Sequence, residues 1–405
     1  MSASKEKGPI NELFCTLFCK HWPVWVGGIL LGALNILIFA IKSPLGASGG
    51  LNAWGESIYG FFSSKGGDGS SLFQSNYGML VLFILIGAMV GAFFSREFAL
   101  RIPPKGELLK GAIGGVLMAL GATIGIGCSI GSFFSGVPAL SSGALVFTVG
   151  MIVGVIISLK YLLWEMENKP NWSSGKSFNF LAVKPDSGRW QIVAGIVIVL
   201  LVTVLVLGIS PVNPFLAWFI IIGTLMGFIS QRSRFCIVRS FRDPLMTGES
   251  AGSVGVIAGL MVSLVGIVAI KYFGITATVG GEISLRAREM TWVFPNFWGR
   301  ALLGGLLFGL GMTVAGGCAV GTLWRMGEGQ VKLWFAGIAF ILVSPVSNKY
   351  LVPWIDKVMP QSAKMKSYLP DYLGYDGAFF LVLGLLLLWY VFVKWNEKTG
   401  KFSAF

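Results

Sequence analysis

Ten apolar runs constrain this chain more than any other feature. They cover about 24–41, 78–95, 111–127, 142–163, 191–209, 215–230, 251–273, 299–317, 333–348 and 377–393. One helical span of a bilayer takes ~20 apolar residues. A backbone inside lipid must satisfy its own hydrogen bonds, so each run is expected to be a helix. Only 12% of the residues are charged and 55% are hydrophobic, whereas a soluble domain carries ~25% charged residues. A soluble fold is thereby excluded, and the expected class is an all-α polytopic membrane protein with about ten transmembrane segments. The net charge of +13 then belongs to basic loops facing one side of the bilayer, and no nucleic-acid partner is expected. Roughly two-thirds of the Lys and Arg residues fall in the N-terminal tail and in alternate connections, which places both termini in the cytoplasm. Residues 1–22 are polar and lack a small-residue cleavage pattern, so no cleavable signal peptide is expected.

Several runs are short and interrupted by glycine. Residues 114–131 read G-G-V-L-M-A-L-G-A-T-I-G-I-G-C-S-I-G, and 304–321 read G-G-L-L-F-G-L-G-M-T-V-A-G-G-C-A-V-G. The two stretches align without a gap at an offset of 190. Gly28 and Gly32 resemble Gly223 and Gly227 in the same way, and Lys160-Tyr161-Leu162 resembles Lys349-Tyr350-Leu351. Run three thus pairs with run eight, and run one with run six. An odd number of spans separates each pair, so the partners cross in opposite directions. The expected organisation is two inverted-topology repeats, residues 1–175 and 176–405, with the polar stretch 164–190 as linker. Such repeats hold their site near the midplane, on helices broken there. Here the breaks are expected at the Gly-Cys motifs.

A lone buried cysteine usually acts as a small hydrophobe. Cys128 and Cys318 stand at equivalent places in opposed halves, and that duplication argues for a site. The flanking Gly127, Gly131, Gly317 and Gly321 let the backbone leave helical geometry and present N–H groups. Ser129 and Thr322 add hydroxyls, and a thiol adds a weak donor and a polarisable sulfur. No carboxylate, histidine or lysine lies in either motif, so the site reads as neutral. That suits an anion with a soft atom. A soft-metal route is a competing reading, because thiolates are soft ligands. A thiol-based sulfurtransferase is another, although such a nucleophile needs a nearby base or cation.

Residues 231–248, Q-R-S-R-F-C-I-V-R-S-F-R-D-P-L-M-T-G, bring four arginines and Cys236 directly after run six. Cys236 has no counterpart in the first half. Arg232, Arg234 and Arg242 can steer an oxyanion at a pore mouth, since guanidinium binds oxyanions through a planar fork. Arg242-Asp243-Pro244 reads as an internal ion pair that stops a helix. Arg325 and Glu328 follow Cys318 with no charged counterpart after Cys128. They could steer or gate, but a solvated turn is the preferred reading. Cys15 and Cys19, four residues apart on the N-terminal lead-in, read as packing residues.

With these motifs in view, the chain resembles the YeeE/YedE family of membrane proteins, the YedE type above all. The resemblance covers nearly the whole length. It rests on the Gly-Cys stretch at 114–129, the F-F-S-G-V-P turn at 133–138, S-R-F-C-I-V-R-S-F-R-D at 233–243 and G-G-C-A-V-G-T-L-W-R-M-G-E-G-Q-V at 316–331. It implies a prokaryotic inner-membrane importer of sulfur-containing ions, with thiosulfate the best-attested cargo and selenium compounds linked to related members. It also implies an hourglass-shaped path on which cysteines hydrogen-bond the ion without a covalent step. Cys128 and Cys318 match the central positions, and Cys236 matches a position nearer one mouth. A small TusA-like sulfur-carrier protein is implied as a cytoplasmic partner. No catalytic residue, metal or cofactor is expected. The N-terminal tail and the 42–77 loop are longer than in a minimal thiosulfate member.

Overall fold

The computed structural model describes residues 18, 20–41, 44–62, 75–169, 177–180, 189–274, 278–279, 282–283, 298–359 and 367–402. Cys15 and Cys19 lie outside these residues. Among the described residues, ten helical stretches are long and apolar enough to cross a membrane. The protein is an all-α polytopic membrane protein.

Helices α1 (Val24–Ile41), α2 (Ser48–Phe62) and α3 (Asn76–Phe94) open the bundle. They are followed by α4 (Lys105–Gly125), a π-helical turn (Ser129–Ser135) and α5 (Ser142–Asn168). After α6 (Arg189–Ile209) come α7 (Pro214–Ser233), α8 (Ile237–Met246) and α9 (Ala251–Phe273). The last group is α10 (Gly299–Ala315), α11 (Ala319–Gly327), α12 (Val331–Val346), a π-helical turn (Ser347–Leu351), α13 (Val352–Val358) and α14 (Pro370–Thr399). A long helix, a short helix and another long helix thus recur four times.

Strand β1 (Leu100–Ile102) pairs antiparallel with β2 (Phe178–Phe180), Leu100 opposite Phe180. A second antiparallel ribbon joins β3 (Thr278–Val279) and β4 (Glu282–Ile283). Two features differ from the linker expected at 164–190. Residues 164–168 are the last turns of α5, and 178–180 are strand. Helix α14 also outruns the apolar run 377–393, because Lys394 and Lys398 continue it beyond its apolar middle, while Gly374 at φ 69° kinks it near its start.

Packing is driven by glycine at helix crossings, as in membrane bundles generally. Helices α4 and α10 cross antiparallel, with Gly114 against Gly311 and Gly121 against Gly304. A Cβ on Gly114 would stand 2.7 Å from the Gly311 carbonyl oxygen, and one on Gly121 equally close to that of Gly304. The same reciprocity holds further out. Gly115 of α4 lies against Ala336 of α12, and Gly305 of α10 against Phe147 of α5. Helix α3 packs on α7, and α9 packs on α1. Helix α6 is almost entirely exposed along its length and sits outside the bundle, against α3 and α7.

Candidate functional site

The three cysteines share one local geometry. Helix α4 ends at Gly125, Ile126 takes a left-handed conformation at φ 56°, and Cys128 is extended at the start of the π-helical turn. Helix α7 ends at Ser233, Arg234 is left-handed at φ 55°, and Cys236 is extended at the start of α8. Helix α10 ends at Ala315, Gly316 is left-handed at φ 82°, and Cys318 is extended at the start of α11. Glycine takes up that conformation without strain, whereas β-branched Ile126 does so only where its surroundings enforce it. Each cysteine therefore sits two residues past a left-handed helix end. Ala47 immediately precedes α2, where no cysteine stands.

All three thiols are buried and free of disulfides. Cys236 and Cys318 touch, Sγ to Sγ 3.9 Å. The Gly321 N–H donates to the Cys318 sulfur at 3.3 Å. Gly321 leaves the room for both sulfurs: a Cβ there would lie 2.7 Å from Cys236 Sγ and 3.2 Å from Cys318 Sγ. Its counterpart Gly131 faces the Leu45–Gly46 backbone instead. The thiol contact among the described residues thus joins Cys236 and Cys318 and leaves Cys128 apart. Beside it, the Ser129 and Ser132 hydroxyls are buried without a hydrogen-bond partner in the protein. Thr322, the counterpart of Ser132, donates to the Gly317 carbonyl at 3.4 Å.

Gly127 and Gly131 open onto a cavity of about 530 Å³. Thr123, Arg300, Ser344 and Asn348 also line it. Arg300 is buried, donating to the Ile124 carbonyl at 2.9 Å and the Thr123 carbonyl at 3.4 Å, and pairing with Asp356 at 3.0 Å. The Ser344 hydroxyl is buried and has no partner in the protein. Unpaired buried hydroxyls are rare enough to need a cause.

The far side of Cys236 and Cys318 is closed by charge and one aromatic ring. Trp324 is buried and donates its indole N–H to the Phe235 carbonyl at 2.9 Å. The Arg234 guanidinium lies 5.7 Å and that of Arg325 4.9 Å from this ring. Arg325 also donates to the Gly316 carbonyl. Arg234 pairs with Glu328 at 3.1 Å and with Glu97 at 3.2 Å. Gln231 donates to both carboxylates, at 3.1 Å to Glu97 and 3.0 Å to Glu328. His21 meets Glu97 from the tail at 3.1 Å.

The four arginines singled out in the sequence have separate fates. Arg234 and Arg325 converge on Trp324. Arg232 is buried against the tail, donating to the Lys20 carbonyl at 2.6 Å. Arg242 pairs with its neighbour Asp243 at 2.9 Å, and Arg239 pairs with the same carboxylate at 2.8 Å. The Arg242–Asp243 pair exists, but it does not stop the helix: α8 runs through Pro244 to Met246. The solvated turn preferred for Arg325 and Glu328 is also corrected. Glu328 is 0% exposed, drawn inside because Arg234 and Gln231 supply its hydrogen bonds. Arg300 and Ser344 carried no motif, and Trp324 stood inside the 316–331 motif without being singled out. Arg300, the single charge at the head of an apolar run, was the one signal available.

The profile of a family described as Sulphur transport matches residues 2–157 and 232–404. The chain is 26% identical over 344 residues to the "Probable transporter YedE" of Escherichia coli strain K12, covering 82% of each chain. It is 26% identical over 348 residues to the protein of the same name from Salmonella typhimurium, covering 83% of each. To the "Thiosulfate transporter TsuA" of Escherichia coli strain K12 it is 34% identical over 127 residues, 31% of this chain and 32% of the relative. Ten spans and relatives named as transporters define a multi-pass membrane transporter rather than an enzyme. The chain belongs to the Sulphur transport family.

Proposed function

We propose that the protein imports thiosulfate, or a closely similar sulfur-containing oxyanion, across the inner membrane. The anion would move from the Arg300 cavity past Cys128 to the Cys236–Cys318 pair, and leave beside Trp324. The carrying observation is the triplicate break, which puts three thiols at the starts of three short helical segments. The unpartnered hydroxyls of Ser129, Ser132 and Ser344 support the same route, since a hydrated or anionic guest would satisfy them. Binding would use thiol, hydroxyl and backbone donors from Gly127, Gly131, Gly317, Gly321, Ser129 and Thr322, with no covalent step. Arg234 and Arg325 would meet the ion at the exit, while Arg232 and Arg242 would set the field around it.

We infer two inverted repeats, residues 1–175 and 176–405. The reciprocal contacts Gly114–Gly311 with Gly121–Gly304, and Gly115–Ala336 with Gly305–Phe147, support this reading. Each is what a two-fold axis between α4 and α10 would generate. With both termini cytoplasmic, the Arg300 cavity faces outward and the Glu97–Arg234–Glu328 cluster faces the cytoplasm. Entry of an anion against an inside-negative potential costs about 2.3 kcal/mol per charge for each 100 mV. Import therefore needs coupling or consumption inside, and a TusA-like sulfur carrier would serve as the consumer.

The test is uptake of labelled thiosulfate into proteoliposomes, with sulfate and selenite as competitors, for the wild type and Cys318→Ala. Saturable uptake that Cys318→Ala abolishes is expected. Movement of selenite but not thiosulfate would transfer the reading to selenium compounds. Uptake unchanged in Cys318→Ala would remove the cysteines from the path.

A further inference from the structure

Cys236 and Cys318 come from separate breaks, 82 positions apart, yet their sulfurs are 3.9 Å from each other. Both are buried, both are free thiols, and Gly321 is the residue whose missing side chain admits them. Two sulfurs on one pyramidal trivalent centre, through bonds of ~2.3 Å, lie about 3.5 Å apart, roughly 0.4 Å closer than here. One bridging atom therefore fits between these sulfurs with little movement. A disulfide of ~2.05 Å would need the gap to close by nearly half.

The pair offers two soft donors and no more. Among the described residues, no group of three or more His, Cys, Asp or Glu side chains gathers to hold a metal ion. A ligand for this site must be thiophilic and need only two protein donors. It must also be small enough to reach a buried pair.

We propose that Cys236 and Cys318 form a chelating dithiol that captures trivalent arsenic, in the form of neutral arsenous acid or an organic arsenoxide. With arsenous acid, two S–H and two As–O bonds break, two As–S bonds form, and two water molecules leave. Arsenic stays trivalent and retains one hydroxyl, so no oxidant or reductant enters. Cys128 stands outside the chelate, because the thiol contact joins Cys236 to Cys318 and does not include it. The proposal rests on the sulfur geometry and holds whichever anion the protein carries.

The experiment uses the full chain carrying Cys15→Ser and Cys19→Ser, so that the remaining cysteines are Cys128, Cys236 and Cys318. Purified protein is treated with phenylarsine oxide, and its intact mass is measured. One arsenical per chain, bound with loss of one water, is expected to survive excess monothiol and to be removed by 2,3-dimercaptopropanol. After quenching and unfolding, alkylation should mark Cys128 and spare Cys236 and Cys318. This mapping needs no substitution in the pair itself. Cys236→Ser and Cys318→Ser should each abolish the adduct, while Cys128→Ser should keep it. No adduct on the parent chain, or an adduct that survives loss of either cysteine, would overturn the assignment.

Discussion

The Arg234 guanidinium lies 3.1 Å from the Glu328 carboxylate, which is itself fully buried. The same arginine caps α7 in a left-handed conformation and lies over the Trp324 ring. A helix end, an ion pair and an aromatic plug thus meet at one side chain, two residues before Cys236. Removing Glu328 leaves Arg234 paired with Glu97 alone and costs Gln231 one of its two acceptors, a loss of about 1–3 kcal/mol. Glu328→Ala should lower thermal stability by that order, measured by tryptophan fluorescence during heating. Glu328→Gln, which keeps an acceptor for Arg234, should lose less. Equal losses would mean that charge, not hydrogen bonding, holds the cluster.

Gly321→Ala tests the room left for the sulfurs. Its methyl would stand 2.7 Å from Cys236 Sγ. Overpacking of this kind costs about 1–3 kcal/mol. Falling on the transport step, that is roughly a tenfold to hundredfold loss of uptake. The control is Gly384→Ala on α14, where an added Cβ meets nothing within 4 Å. It should leave uptake unchanged and stability within about 0.5 kcal/mol. Proteoliposome uptake of both variants, normalised to folded protein, separates local crowding from a general intolerance of glycine loss.

Ser129→Ala and Ser132→Ala remove buried hydroxyls that have no partner in the protein. Deleting an unsatisfied polar group is close to neutral for stability, within about 0.5 kcal/mol. Uptake should nevertheless fall severalfold if these hydroxyls serve the passing ion. A drop in melting temperature with unchanged uptake would assign them to the fold instead.

Arg300→Gln removes donors to the Ile124 and Thr123 carbonyls and the ion pair with Asp356. The expected cost is about 1–3 kcal/mol, because the two carbonyls lose a buried donor while the Asp356 carboxylate, 34% exposed, is screened by solvent. Arg300→Lys should recover little, because a point charge cannot reproduce the planar fork. Thermal unfolding of the two variants side by side decides this. Full recovery by lysine would show that charge alone matters at the cavity wall.

Some of this protein was determined by sequence alone. The ten spans are local: apolar composition forces each run into lipid, and lipid forces it into helix. The glycines around Cys128 and Cys318 were legible for the same reason, because glycine on both sides of a cysteine is a local pattern. The break at Cys236 was not, since Arg234 and Phe235 stand where the other two motifs carry Ile126 or glycine. Its cysteine drew notice only through the arginines around it.

Tertiary structure alone decided which groups meet. The contact between Cys236 and Cys318 depends on how two short helices are stacked, and no local signal reports a distance across 82 positions. The burial of Glu328 depends on Arg234 and Gln231 arriving from α7, and the place of Arg300 depends on Asp356 beside α4. Charge in a sequence is read as solvated by default. Whether it is instead paired and buried is set by partners that only the assembled bundle supplies, because the cost of dehydrating a charge is offset only where an opposite charge or a donor already waits.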